Sequence, residues 1–197
     1  MTLVTISATF GCGGSRIAPA LAERLGVPLL GRPQAPDLDP EVEEPSGRLL
    51  SRVASLALAW GTPGGMGLDE LLHDSTGRDQ IEREIRELAA GCEGVILGRG
   101  AAVILHDDER ALHVLLDAPK EARVRQAMEI ENLDHEAAER RLARVDRFRR
   151  AYVETFYGVD LHEPGMCHLV IDSTAIPLDD CVELIAAAAM SRSSRRR

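Results

Sequence analysis

The chain has 197 residues, of which 45% are hydrophobic and 28% charged, and its formal net charge is −9. That length suits one sizeable core, and the excess of acid argues against a general affinity for nucleic acid. No apolar run approaches the roughly 20 residues of a membrane span, and the opening "MTLVTISATF" has no basic export region. Cys12, Cys92, Cys167 and Cys181 form no C-x-x-C pair and show no metal-ligand spacing. Scattered thiols without an export signal are expected in a reducing cytoplasm.

Val4–Ala8 is a short continuous apolar run and reads as a buried strand. Gly11, Gly13 and Gly14 follow, and then Ile17, Leu21 and Leu25 recur at four-residue spacing, which makes one apolar face of a helix ending at Gly26. "VPLL" at 27–30 is a second short strand, and the proline-rich, acidic residues 33–46 read as a loop. A helix is expected over Leu49–Trp60, broken by "GTPGGMG". Another spans about Arg78–Ala90, with Ile81, Ile85 and Leu88 inward.

"GVILGRG" at 94–100 and "HVLLDA" at 113–118 are further strands, the second leading through Pro119 into a helix. A long helix runs from Asp134 to about Tyr152, striped by Leu142, Val145, Phe148 and Tyr152. "CHLVIDS" at 167–173 is the last strand and "PLDDCVELIAAAAM" the closing helix. The tail "SRSSRRR", residues 191–197, reads as a basic disordered end. Strands alternating with helices define an α/β fold with a mostly parallel sheet. Ligands of such sheets bind beyond the carboxyl ends of the strands.

Three features lie there. Strand, glycine loop and helix is a layout that cradles phosphate, although "FGCGGSR" also fits a tight turn, and Gly14 stands where a phosphate loop would carry lysine. Arg99, between Gly98 and Gly100, fits either a two-pronged phosphate grip or a surface ion pair. Arg140, Arg144 and Arg147 follow at i, i+4 and i+7, with Asp146, Arg149 and Arg150 on a neighbouring face. Such a cluster fits an anion site, or a solvated helix knitted by pairs such as Asp146–Arg150. Together they suit phosphoryl transfer, which needs positioning and positive charge more than covalent chemistry. Ser15 is the candidate hydroxyl ligand for magnesium.

"TISATFGCGGSRIA", "RDQIEREIRELAAGCEGVILGRGAAVIL" and "ARVDRFRRAYVETFYG", with "HLVIDSTAIPLDDCVELI" after it, resemble blocks of the cytidylate kinase-like family of P-loop nucleoside monophosphate kinases. The resemblance implies a three-layer sandwich: a mostly parallel five-stranded sheet with helices on both faces and a helical lid. It implies one domain over 1–190, with an acceptor-binding helical insert at about 33–90 and a lid at about 130–157. The implied reaction moves the γ-phosphate of ATP, with Mg2+, to CMP or dCMP.

Carried over by residue, Gly11, Cys12, Gly13, Gly14, Ser15 and Arg16 would hold the donor phosphates, with Arg123 at the base of the lid. Arg99, Asp146 and Arg149 would hold the acceptor, and Arg99, Arg144 and Arg149 are the expected catalytic arginines. The chain departs from typical cytidylate kinases in reading Leu97-Gly98-Arg99-Gly100 where they carry Asp-Gly-Arg-Asp, and in lacking the loop lysine. The alternatives are a catalytically impaired nucleotide sensor, or a kinase for another small acceptor. The expected partners are nucleotide substrates, with no nucleic acid or membrane; the sequence leaves the oligomeric state open.

Overall fold

The computed structural model describes residues 2–30, 75–91 and 93–194; the helix expected at Leu49–Trp60 and the loop at 33–46 lie outside them. Five strands form one parallel sheet: β1 (Leu3–Ala8), β2 (Leu29–Leu30), β3 (Gly94–Leu97), β4 (Ala111–Asp117) and β5 (Leu169–Asp172), in the order β2-β3-β1-β4-β5. Every pairing is parallel, so the sheet is wholly rather than mostly parallel. The helices are α1 (Gly14–Leu25), α2 (Ser75–Ala89), α3 (Ala101–Ile104), α4 (Lys120–Glu131), α5 (His135–Tyr157) and α6 (Leu178–Ser194).

β1 is central because both of its edges are used: Ile6 stands beside Leu97 on one side and Val114 on the other. A strand covered on both faces must be apolar throughout, and Leu3, Val4 and Ile6 are buried, as are Val95, Ile96, Val114 and Leu116. Ile17 and Leu21 of α1 pack with Val182 and Ile185 of α6 on one face of the sheet. Ile85 of α2 and Ile104 of α3 cover the other. Each such side chain contributes about 1.5–3 kcal/mol through burial. Among the buried polar residues is a pair across β1 and β4, where Thr5 Oγ1 lies 2.7 Å from His113 Nδ1.

The helix ends follow from local chemistry. Gly26 closes α1 in the left-handed region, and Asp134 caps α5 by accepting from the Ala137 N–H. Pro119 is the residue before α4 rather than part of its first turn. α5 runs five residues past Tyr152 and stops at left-handed Gly158. α6 extends through Ser194, into the basic tail segment. No helix among the described residues is long and apolar enough to cross a membrane.

Candidate active site

β1, β3 and β4 end together, and the loop from Thr9 to Gly13 springs from the middle of the three. Gly11 (φ 86°) and Gly13 (φ 67°) are left-handed. A Cβ on Gly11 would stand 2.3 Å from the Arg123 carbonyl oxygen, so only glycine fits.

The loop's carbonyls are all hydrogen-bonded, most of them from other elements. Ala8 O accepts from Arg149 Nη1 at 2.5 Å, Phe10 O from Arg123 Nη1 at 3.1 Å, Gly11 O from Gln126 Nε2 at 2.9 Å and Cys12 O from Ser173 Oγ at 2.8 Å. Thr9 O accepts from the Cys12 N–H, and Gly13 O from the N–H groups of Arg16 and Ile17. Six successive carbonyls, from Ala8 to Gly13, are thus hydrogen-bonded. The N–H groups of Gly11, Gly13, Gly14 and Ser15 make no hydrogen bond among the described residues. Concave, unsatisfied amides at a helix N-terminus form a nest for an anion.

Beneath the loop lies a second layer of polar groups that the sequence reading missed. Asp117, at the end of β4, accepts from Thr9 Oγ1 at 2.8 Å, and its other oxygen is 3.0 Å from His162 Nε2. His162 Nδ1 lies 2.9 Å from Asp160. Burial raises the Asp117 carboxyl pKa, but hydrogen bonds from Thr9, the Ala118 backbone and His162 outweigh it and leave it lowered. His162 is raised: burial disfavours its charge, and the two carboxylates more than offset that. The buried Cys12 thiol, 3.1 Å from Thr9 Oγ1, is pushed up chiefly by burial. Asp117 was visible only as the end of an apolar strand, and nothing in the spacing linked it to a histidine 45 residues on.

The predicted arginines divide. Arg123 Nη1 pairs with Asp146 Oδ2 at 2.5 Å, and Asp146 Oδ1 accepts the Phe10 N–H at 2.9 Å. Asp146 therefore docks α5 on the loop and on α4, in place of the Asp146–Arg150 pair of the alternative, solvated-helix reading. Arg149, one turn on, reaches Ala8 O, and burial lowers its pKa against the pull of Asp146. Arg99 follows β3 in the left-handed region (φ 61°), with Gly98 and Gly100 left-handed on either side. A non-glycine residue there costs about 1–2 kcal/mol. Its guanidinium is held 2.6 Å from Glu84 of α2, and its charge is felt by Tyr152 of α5.

Arg144 is half-buried on α5. Arg140 is exposed and pairs with Glu136. Ser15 and Arg16 are exposed on the first turn of α1. Hydrogen bonds thus link the loop with Arg123, Asp146, Arg149, Asp117 and His162 beyond the carboxyl ends of β1 and β4, and Arg99, paired with Glu84, follows the carboxyl end of the neighbouring β3.

A central parallel strand feeding a phosphate-type loop, in the sheet order above, defines a P-loop kinase fold. The family model for the cytidylate kinase-like family matches residues 3–175. The chain belongs to the cytidylate kinase-like family. An uncharacterized protein from Eubacterium ventriosum is similar at 19% identity with a TM-score of 0.66, over 96% of this chain and 98% of that one. A gluconokinase from Sinorhizobium meliloti is similar at 15% identity with a TM-score of 0.52, over 99% of this chain and 94% of that one. No curated protein matches the sequence. Family and fold together support a phosphotransferase.

Proposed function

We propose that the protein transfers the γ-phosphate of ATP to a nucleoside monophosphate, with CMP or dCMP as the acceptor. The observation that supports this reading is the glycine loop after β1, whose carbonyls are hydrogen-bonded while the N–H groups of Gly11, Gly13, Gly14 and Ser15 make no hydrogen bond among the described residues. Donor phosphates would lie on that nest. Arg99 would take the acceptor phosphate, exchanging its bond to Glu84 for two to the anion. Asp146 orients Arg123 and α5 over the loop, and Arg144 and Arg149 would supply positive charge to the migrating group from that helix.

Magnesium fits in part. Ser15 is exposed at the mouth of the loop and could give one oxygen, whereas Asp117 and Asp146 are both committed to other partners. The ion would share its shell with phosphate oxygens and water, as is usual for it, and when bound would neutralise donor-phosphate charge.

The choice of CMP rests on the family likeness, and the insert at about 33–90 is where acceptor selection would be made. A coupled ADP-release assay with each nucleoside monophosphate tests the reading: turnover is expected with CMP or dCMP. ATP or CMP binding without ADP release from any acceptor would favour a nucleotide sensor instead, a reading motivated by the missing loop lysine.

A further inference from the structure

The loop after β1 carries one large side chain, Phe10, and its ring is buried apart from the two cores that flank the sheet. Its buried neighbours are Val124 and Ala127 of α4 and Ala138 and Leu142 of α5. Among the described residues, every other member of this third cluster belongs to the α4–α5 hairpin, and Phe10 has the largest side chain of them. Two of the four buried neighbours are alanines, so the ring supplies much of the apolar surface that the two helices bury against each other.

The backbone of Phe10 is held by the same hairpin. Its N–H donates to Asp146 of α5 at 2.9 Å, and its carbonyl accepts from Arg123 of α4 at 3.1 Å. The Arg141 guanidinium of α5 lies over the ring, 5.6 Å from its centroid, and pairs with Glu131 at the end of α4 at 2.7 Å. Donor, acceptor and ring of one loop residue are thus all taken by α4 and α5. The consequence falls on the next residue. The Phe10–Gly11 peptide is trans, so its N–H points away from its C=O. With the carbonyl drawn to Arg123, the Gly11 N–H is turned away from that guanidinium, and it makes no hydrogen bond among the described residues.

We infer that Phe10 is a positioning residue for anion binding: its ring is the plug on which the α4–α5 hairpin is seated, and through it the hairpin fixes the peptide plane that presents the Gly11 N–H. Loop and hairpin are then one body, and an anion bound at the loop stabilises the seated hairpin by as much as the seated hairpin favours the anion. This rests on the phosphate-binding role proposed for the loop and adds to it a residue whose side chain touches no ligand.

The test uses the full chain and inorganic tripolyphosphate, with affinity from calorimetry, folding from thermal denaturation and local opening from amide hydrogen exchange. In the unaltered protein, tripolyphosphate should slow exchange in α4 and α5 by the same factor as at Arg16 and Ile17, whose N–H groups bond the loop carbonyl of Gly13. Segments that open together are protected together. Phe10→Ala should weaken tripolyphosphate binding by roughly 10-fold or more, within the usual span of coupling between sites. It should also confine the slowed exchange to Arg16 and Ile17. Phe10→Leu, which keeps an apolar plug, should recover part of the affinity. Leu112→Ala is the control: it truncates a comparably buried side chain near the start of β4, the end away from the loop. It should lower the melting temperature without weakening binding.

Protection that reaches Arg16 and Ile17 but not α4 and α5 in the unaltered protein overturns the inference, and that measurement needs no variant to fold. Unchanged affinity in a folded Phe10→Ala protein overturns it too, as does an equal loss of affinity in Leu112→Ala, which would make the effect one of stability alone. Each of these leaves the phosphate loop standing. Shared protection and Phe10-dependent binding, without turnover of any acceptor, support the inference and remove the kinase reading. Failure of the unaltered protein to bind tripolyphosphate overturns both.

Discussion

Asp146 holds the phosphate loop and Arg123 at once: one oxygen accepts the Phe10 N–H at 2.9 Å and the other the Arg123 guanidinium at 2.5 Å. The carboxylate is a joint between α5, α4 and the loop. Removing it strands a positive charge that is only 11% exposed. Breaking a wholly buried pair costs about 3–5 kcal/mol; with both partners still touching solvent, Asp146→Ala should lose about 2–3 kcal/mol in urea unfolding. Asp146→Asn, which keeps an acceptor for Phe10, should lose less. Equal losses would mean that the charge on Asp146 contributes nothing to the joint.

Arg99 separates stability from binding. Arg99→Gly gives up the Glu84 pair and relieves a left-handed backbone, two changes of about 1 kcal/mol and opposite sign. Unfolding free energy should therefore stay within about 1 kcal/mol of the unaltered protein. The acceptor KM should rise at least about tenfold, one charged hydrogen bond's worth, with the ATP KM unchanged. A parallel rise in both values would place Arg99 on the donor side instead.

Two histidines set opposing pH limits. His113, buried and stacked near His106 and His168, has its pKa lowered to about 4, mainly by burial. Below about pH 6.5 the unfolded imidazole binds a proton that the folded one refuses, so stability present above that pH is lost as it falls toward 4, by about 3 kcal/mol in all. His113→Gln should flatten this acid limb of a melting-temperature profile.

His162 acts in the other direction. Its pKa is raised above 6.5 by Asp160 and Asp117, so its contribution is complete below 6.5 and disappears as pH climbs through the raised value. His162→Gln should remove that alkaline decline, and because Asp117 also holds Thr9, it should loosen the loop and raise the ATP KM. A profile identical to that of the unaltered protein would show that the His162–Asp117 contact does not persist in solution.

Gly11→Ala should be the most damaging small change at the loop. It meets both a left-handed backbone and a carbonyl oxygen at 2.3 Å, neither of which a rotamer can avoid. A folded protein with unimpaired ATP binding would contradict the tight seating of the loop on α4.

Much of this fold was legible because its causes are local. β1, β3 and β4 are short apolar runs, and Ile17, Leu21 and Ile85 mark helix faces by spacing alone. α3 was missed because Ala101–Ile104 merges with the apolar strand before it, and the left-handed Gly98-Arg99-Gly100 turn that divides them leaves no periodic trace. Within the site, glycines and arginines were legible as residue types at strand ends. Their partners were not: Thr9 and Asp117 are 108 residues apart, and Arg123 and Asp146 meet only because α4 and α5 fold back on each other. The crowding at Gly14 was hidden for another reason: a Cβ there would lie 2.8 Å from the Ala8 methyl, a contact that only the packed loop reveals.

The most direct test of phosphoryl transfer is to follow the γ-phosphate itself. Purified protein would be given γ-labelled ATP, magnesium and CMP, and the products separated. Label appearing in CDP at a rate proportional to enzyme, and slowed at sub-saturating CMP in Arg99→Gly, is the predicted result. Label remaining in ATP or released only as inorganic phosphate, from folded protein that binds both nucleotides, would contradict it.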